Sequence, residues 1–161
     1  MKDVAEFIRA YQHTDAARIA FAWNGKHADD FFDANNDFRQ SVLEAVFATL
    51  DEAPLPLIRD LFRAETEFSG EAWCIDVRIT DLAETMLTRG GAEYLMDFLT
   101  GQHQSFDAAM ACRGIVISRS QLEALLVEVD RLLASDPTDE ERQMLQVGRG
   151  LFTEIAGREQ A

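Results

Sequence analysis

The chain has few of the residues that staple, ligate or catalyse. Cysteine occurs only at Cys74 and Cys112, too few for a disulfide framework. Both sit beside apolar neighbours (Ala72, Trp73 and Ile75; Met110 and Ala111), the setting of free buried thiols. Histidine occurs only at His13, His27 and His103, with no i,i+3 or i,i+4 pair among them, and there is no C-x-x-C. A zinc site therefore has no support. Nucleophile elbow, dinucleotide fingerprint and Walker loop are all missing. No cofactor or metal is expected.

Long apolar runs are missing too. No stretch approaches the roughly 18 residues of a membrane span. Met1-Lys2-Asp3-Val4 carries no apolar signal run. The expectation is a cytoplasmic protein with no membrane contact. With 3 Pro and 9 Gly in 161 residues, no linker stands out. The whole of 1–161 reads as a single helical domain, long enough to bury a core without metal or disulfide.

Positive charge is scarce. Lys plus Arg total 15 against 29 Asp plus Glu, a formal net charge of −14. The deficit is even. Residues 1–80 hold 8 basic and 15 acidic side chains, and 81–161 hold 7 and 14, so each half comes to −7. Nucleic-acid phosphates and anionic membrane surfaces would be repelled. A basic protein would be attracted and steered.

What is present is helical periodicity. Phe38, Val42, Leu43, Val46, Phe47 and Leu50 make one stripe, with Asp37 as expected N-cap and Gln40 completing a capping box. Pro54 and Pro56 open a second helix lined by Ile58, Leu61, Phe62 and Phe68 and stopped at Ser69-Gly70. A third, capped by Ser118 or Ser120, buries Leu122, Leu125, Leu126, Val129, Leu132 and Leu133. Asp136-Pro137 reads as cap and first residue of the last helix, which buries Met144, Leu145, Leu151, Phe152 and Ile155. Gly148 lies on that stripe, where a neighbouring helix could come close. Shorter helices are expected around Val4 to Tyr11, from Thr14 to Asn24-Gly25, and after Gly90-Gly91 to Gly101. Residues 73–79 alternate like a strand, with residues 115–117 as their only partner. A lone two-stranded pair is marginal, so a helix over about 73–88 is preferred. The expected fold is all-α, about seven or eight antiparallel helices in a bundle or stacked pairs, with at most one short two-stranded element.

Three constellations could carry function. Asp33, Asn35, Asp37 and Glu44 fall at positions one, three, five and twelve of a calcium loop. Phe38 stands where that loop needs glycine, so a helix-capping turn is expected instead. Glu65 falls on the apolar stripe of its helix. A carboxylate there must be paired or hydrogen-bonded, and burial would raise its pKa. It is the candidate buried acid. Phe31 and Phe32 lie between Asp29, Asp30 and Asp33. Two adjacent rings cannot face one core, so either the preceding helix covers both or one stands out as an apolar anchor inside a carboxylate collar. Asp29, Asp30, Phe31, Phe32 and Asp33 are therefore the candidate partner-binding residues.

The function expected is a non-enzymatic acidic helical binding protein that recognises a basic partner, of inhibitor, immunity or escort type. The alternative is a small carboxylate-based or metal-dependent enzyme with Glu65 in its site.

Overall fold

A computed structural model describes residues 3–158. Met1 and Lys2, at the start of the N-terminal stretch considered above, lie outside them. Among the described residues the chain forms eight α-helices and no sheet: α1 (Val4–Arg9), α2 (Asn36–Phe47), α3 (Leu55–Ala72), α4 (Ile79–Gly90), α5 (Leu95–Gln102), α6 (Phe106–Cys112), α7 (Arg119–Ala134) and α8 (Asp139–Arg158). Helix α3 is the central element and packs on α4, α5 and α6. Helices α7 and α8 pair with each other, and α8 also reaches α5. None of these helices is long and apolar enough to cross a membrane.

The periodic stripes are the core. Val42, Leu43 and Val46 of α2, Ile58, Leu61 and Phe62 of α3, and Leu122, Leu125 and Val129 of α7 are all buried. Phe62, Phe98 and Phe152 stack in series from α3 through α5 to α8, with centroids 6.2 and 5.7 Å apart. Gly148 of α8 faces Leu99: a Cβ there would come within 2.2 Å of Leu99 Cδ2. Ser118 caps α7 by accepting from the Gln121 amide, and Gln121 closes the capping box.

Several boundaries differ from expectation for local reasons. Helix α2 begins at Asn36, so Asp37 is inside it and not its cap. Helix α3 runs past Ser69-Gly70 to Ala72, because Ser69 is buried and its hydroxyl donates to the Thr66 carbonyl. It stops at Trp73, whose φ of 55° and ψ of 31° are left-handed. Residues 73–78 are therefore neither strand nor helix: they link α3 to α4, and α4 starts at Ile79. Their alternation does not mark a buried side: of its apolar residues Trp73 and Val77 are both exposed, and only Ile75 is half-buried. Residues 115–117 form no strand, with Ile115 and Ile117 buried and Val116 exposed. Asp136 adopts φ 58°, and Thr138 opens α8 instead, its hydroxyl accepting from the Glu141 amide. The expected helix from Thr14 to Asn24 is only a 3₁₀ segment, His13–Arg18. Beyond it the chain extends, and Trp23 and Asp33 form an isolated antiparallel bridge. Helix α6 spans only two turns, too short to carry a periodic stripe.

Candidate functional site

Residues 22–34 fold back on themselves as an irregular hairpin. The Asn24 amide donates to the Phe32 carbonyl at 3.0 Å, and the Ala34 amide to the Ala22 carbonyl at 3.1 Å. Gly25 turns the chain at φ 76°, a conformation glycine adopts without steric penalty. The Asn24 side chain ties the tip by donating to the Asp30 carbonyl and accepting from the Lys26 and Phe32 amides. Asp29, Asp30, Phe31 and Phe32 occupy the returning arm.

The two phenylalanines part company there. Phe32 points outward and is 59% exposed. Phe31 turns inward against Phe68 of α3, edge to face at 5.6 Å. Phe21 and Trp23 complete this aromatic cluster, and His27 lies against Trp23 at 4.9 Å. Between the hairpin and the end of α3 opens a pocket of about 650 Å³, lined by His27, Ala28, Phe31, Phe68, Glu71, Ala72, Trp73 and Cys74. Its walls are mostly apolar, and its size falls in the usual range for ligand or anchor pockets. One lip is the hairpin, and the other is the α3 terminus with Trp73.

Buried charge underlies both lips. Arg39 of α2 has no contact with water. Its Nε donates to Glu65 Oε1 at 2.5 Å. Its Nη2 lies 2.7 Å from Asp33 Oδ2, a close charge contact whose angle departs from that of a hydrogen bond. The guanidinium also sits 5.6 Å from the Phe68 ring. Asp33 Oδ1 accepts from the Ala22 and Asn35 amides, which fixes the neck of the hairpin. Gln40 donates to both oxygens of Glu65 and accepts from Arg78 at 2.6 Å. Arg78 in turn pairs with Asp76 in the 73–78 linker. A polar chain thus runs from Asp33 through Arg39, Glu65, Gln40 and Arg78 to Asp76. It ties the hairpin at one end and the Trp73 linker at the other.

The expected site residues are therefore divided. Asp29, Asp30 and Phe32 are exposed, Phe31 lines the pocket, and Asp33 is buried with its carboxylate engaged inside the fold. Glu65 is buried as Arg39's partner. Burial pushes its carboxyl above the ordinary range, against the lowering pull of Arg39 and Gln40. A carboxylate so enclosed has no open face for a substrate. The calcium-like residues do not converge: Asp33 holds backbone amides, Asn35 donates to the Ala17 and Ala20 carbonyls, and Asp37 and Glu44 are already within α2. Among the described residues no cluster of His, Cys, Asp or Glu could hold a metal. Cys112 is buried and its thiol is pushed up to about 12. Cys74 is exposed at the pocket, but desolvation and the charges of Glu65, Asp107 and Asp76 raise its thiol as well. Neither is an activated nucleophile.

Two important residues escaped the sequence. Arg39 stands three, four and seven residues before Val42, Leu43 and Val46, on the buried stripe of α2. An arginine there, with Glu65 on the stripe of α3, was the available signal for an ion pair between helices. Trp73 carried no such signal, since its exposure follows from a left-handed helix end that usually takes glycine. Comparison with family models, with curated proteins and with solved structures found no match for this chain.

Proposed function

We propose that the protein is a non-enzymatic, acidic helical binding protein that recognises a basic partner protein, as an inhibitor, immunity protein or escort does. The observation that carries this reading is the apolar pocket beside the Asp29–Phe32 arm. Its walls come from Phe31, Phe68 and Trp73, Glu71 stands among them, and Asp29 and Asp30 are exposed on the adjoining turn. An apolar centre within a carboxylate collar suits a partner that offers an apolar anchor flanked by cations.

The net charge of −14 supports the same reading. Such a field accelerates encounter with a basic surface, while the anchor slows departure. Asp33 serves from behind: by holding the Ala22 and Asn35 amides it keeps the hairpin in shape, and a preorganised lip loses less entropy on binding.

The test is capture on the immobilised protein from its native lysate, compared with Asp29→Asn/Asp30→Asn and with Phe32→Ala. The expected catch is a basic protein that is depleted by either variant. A catch of acidic proteins, or one that both variants retain in full, would contradict the reading.

A further inference from the structure

The strongest unexplained feature lies beside the pocket. Trp73 is 86% exposed, Val77 84% and Phe106 79%. Large apolar side chains exposed singly are common, but a contiguous set marks an interaction surface. Here the set falls on two segments that are tied to each other at both ends. Ser69 Oγ, near the end of α3, is 2.9 Å from Ser105 Oγ, the residue before α6. The Thr80 hydroxyl, at the start of α4, donates to the Ala111 carbonyl near the end of α6. The 73–78 linker therefore runs alongside α6 in the same direction. Trp73 lies at the Phe106 end and Val77 at the Met110 end. Phe106 and Met110 are one helical turn apart and share the outer face of α6. The strip continues into the pocket, because Trp73 and Cys74 line it.

Trp73 also works against stability. It closes α3 at φ 55°, where a bulky side chain is a steric outlier and glycine is the usual residue. The fold draws no compensating burial from its ring. A strained, exposed tryptophan beside an apolar pocket has the properties of a binding anchor.

The geometry points to the Trp73–Val77 linker, the outer face of α6 and the adjoining pocket as the docking surface for a cationic amphipathic helix of the basic partner. This rests on the proposed function and names the segment recognised. Charge supplies the sign of the occupant: Glu71 lines the pocket, the charge of Asp107 reaches Cys74 in the linker, Arg78 of the linker is paired with Asp76, and Asp29 and Asp30 are exposed beyond the pocket. The architecture supplies its form. The strip follows the axis of α6, on which Phe106 and Met110 stand exposed one turn apart. A helix presents apolar side chains at i, i+3, i+4 and i+7 to such a surface, with lysines and arginines on its flanks.

The experiment titrates the full chain with three synthetic peptides: a leucine–lysine helix apolar on one face, the same helix with every lysine replaced by glutamate, and a scrambled leucine–lysine sequence. Calorimetry gives the affinities, and the part of the tryptophan emission change that Trp73→Gly abolishes reports burial of the Trp73 ring, since Trp23 also emits. The lysine helix is expected to bind, shift the emission to the blue, and lose roughly tenfold or more in affinity with Trp73→Gly or Phe106→Ala. Neutralising the exposed Asp139 and Glu140 at the start of α8 should change affinity by no more than about twofold. Thermal midpoints at or above the parent's in Trp73→Gly would show that the loss is not unfolding. Undiminished binding in both apolar variants would overturn the docking surface, while leaving a basic partner at Asp29 and Asp30 intact. Equal binding of the scrambled peptide would overturn the helix. Equal binding of the glutamate helix would overturn the basic-partner reading itself. A concentration-dependent dimer abolished by Trp73→Gly would assign the strip to a second copy of the chain and would also overturn the inference.

Discussion

The Nε of Arg39 lies 2.5 Å from Oε1 of Glu65, with both side chains shut off from water. This pair joins α2 to α3 beneath the pocket, and Asp33 adds a second carboxylate to the same guanidinium. Buried pairs are poor sources of net stability, because desolvation offsets their attraction. Removing one partner alone is a different matter, since it strands the other.

Arg39→Met and Glu65→Leu should therefore each cost about 3–5 kcal/mol. The double variant should cost less than the sum, by about 1–3 kcal/mol. Chemical denaturation of all four proteins closes the cycle. Additivity within about 0.5 kcal/mol would mean that the two side chains do not depend on each other.

Two glycines of α8 should respond oppositely to alanine. At Gly148 a Cβ would lie 2.2 Å from Leu99 Cδ2, whereas at Gly150 nothing stands within 4 Å. Gly150→Ala should add up to about 1 kcal/mol through helix propensity. Gly148→Ala should lose about 1–3 kcal/mol through overpacking. Equal effects in thermal unfolding would show that α8 does not seat on Leu99 as described.

Acid should loosen the linker end of the polar chain. The Asp76 carboxyl is held below its ordinary value, chiefly by its hydrogen bond to the Arg78 side chain. A carboxyl lowered on folding contributes stability that is present above its unfolded pKa, about 3.9. That contribution disappears as pH falls through the folded value. Glu65 has the opposite sign: raised on folding, it favours the fold most in acid and less as pH rises through its folded value. Asp76→Asn should therefore flatten the acid limb of the stability profile measured below about pH 4. An acid limb as steep as the parent's would mean that Asp76 is not bound to Arg78 in solution.

The helical class was readable because the stripes repeat over several turns, as in Leu122, Leu125 and Val129. Short or irregular pieces were not. Helix α6 has too few turns for a stripe, and the apolar alternation over residues 73–78 has no counterpart in burial, since Trp73 and Val77 are both exposed. The site was half legible. The acidic aromatics at 29–32 stand out in sequence, and Glu65 stands out on its stripe. Asp33 resembled its exposed neighbours, and only the folded chain brings it to Arg39 and the Ala22 amide. Trp73 depends on a backbone angle that no periodicity encodes.

The central claim is recognition of a basic partner through the carboxylate-ringed aromatic face, and its most direct test is the association rate with the captured partner. Surface-resonance kinetics at two ionic strengths would compare the parent with Asp29→Asn/Asp30→Asn. Added salt should slow association of the parent steeply and change dissociation little. The neutralised variant should start slower and depend less on salt. An association rate indifferent to salt, and identical in the two proteins, would contradict the account.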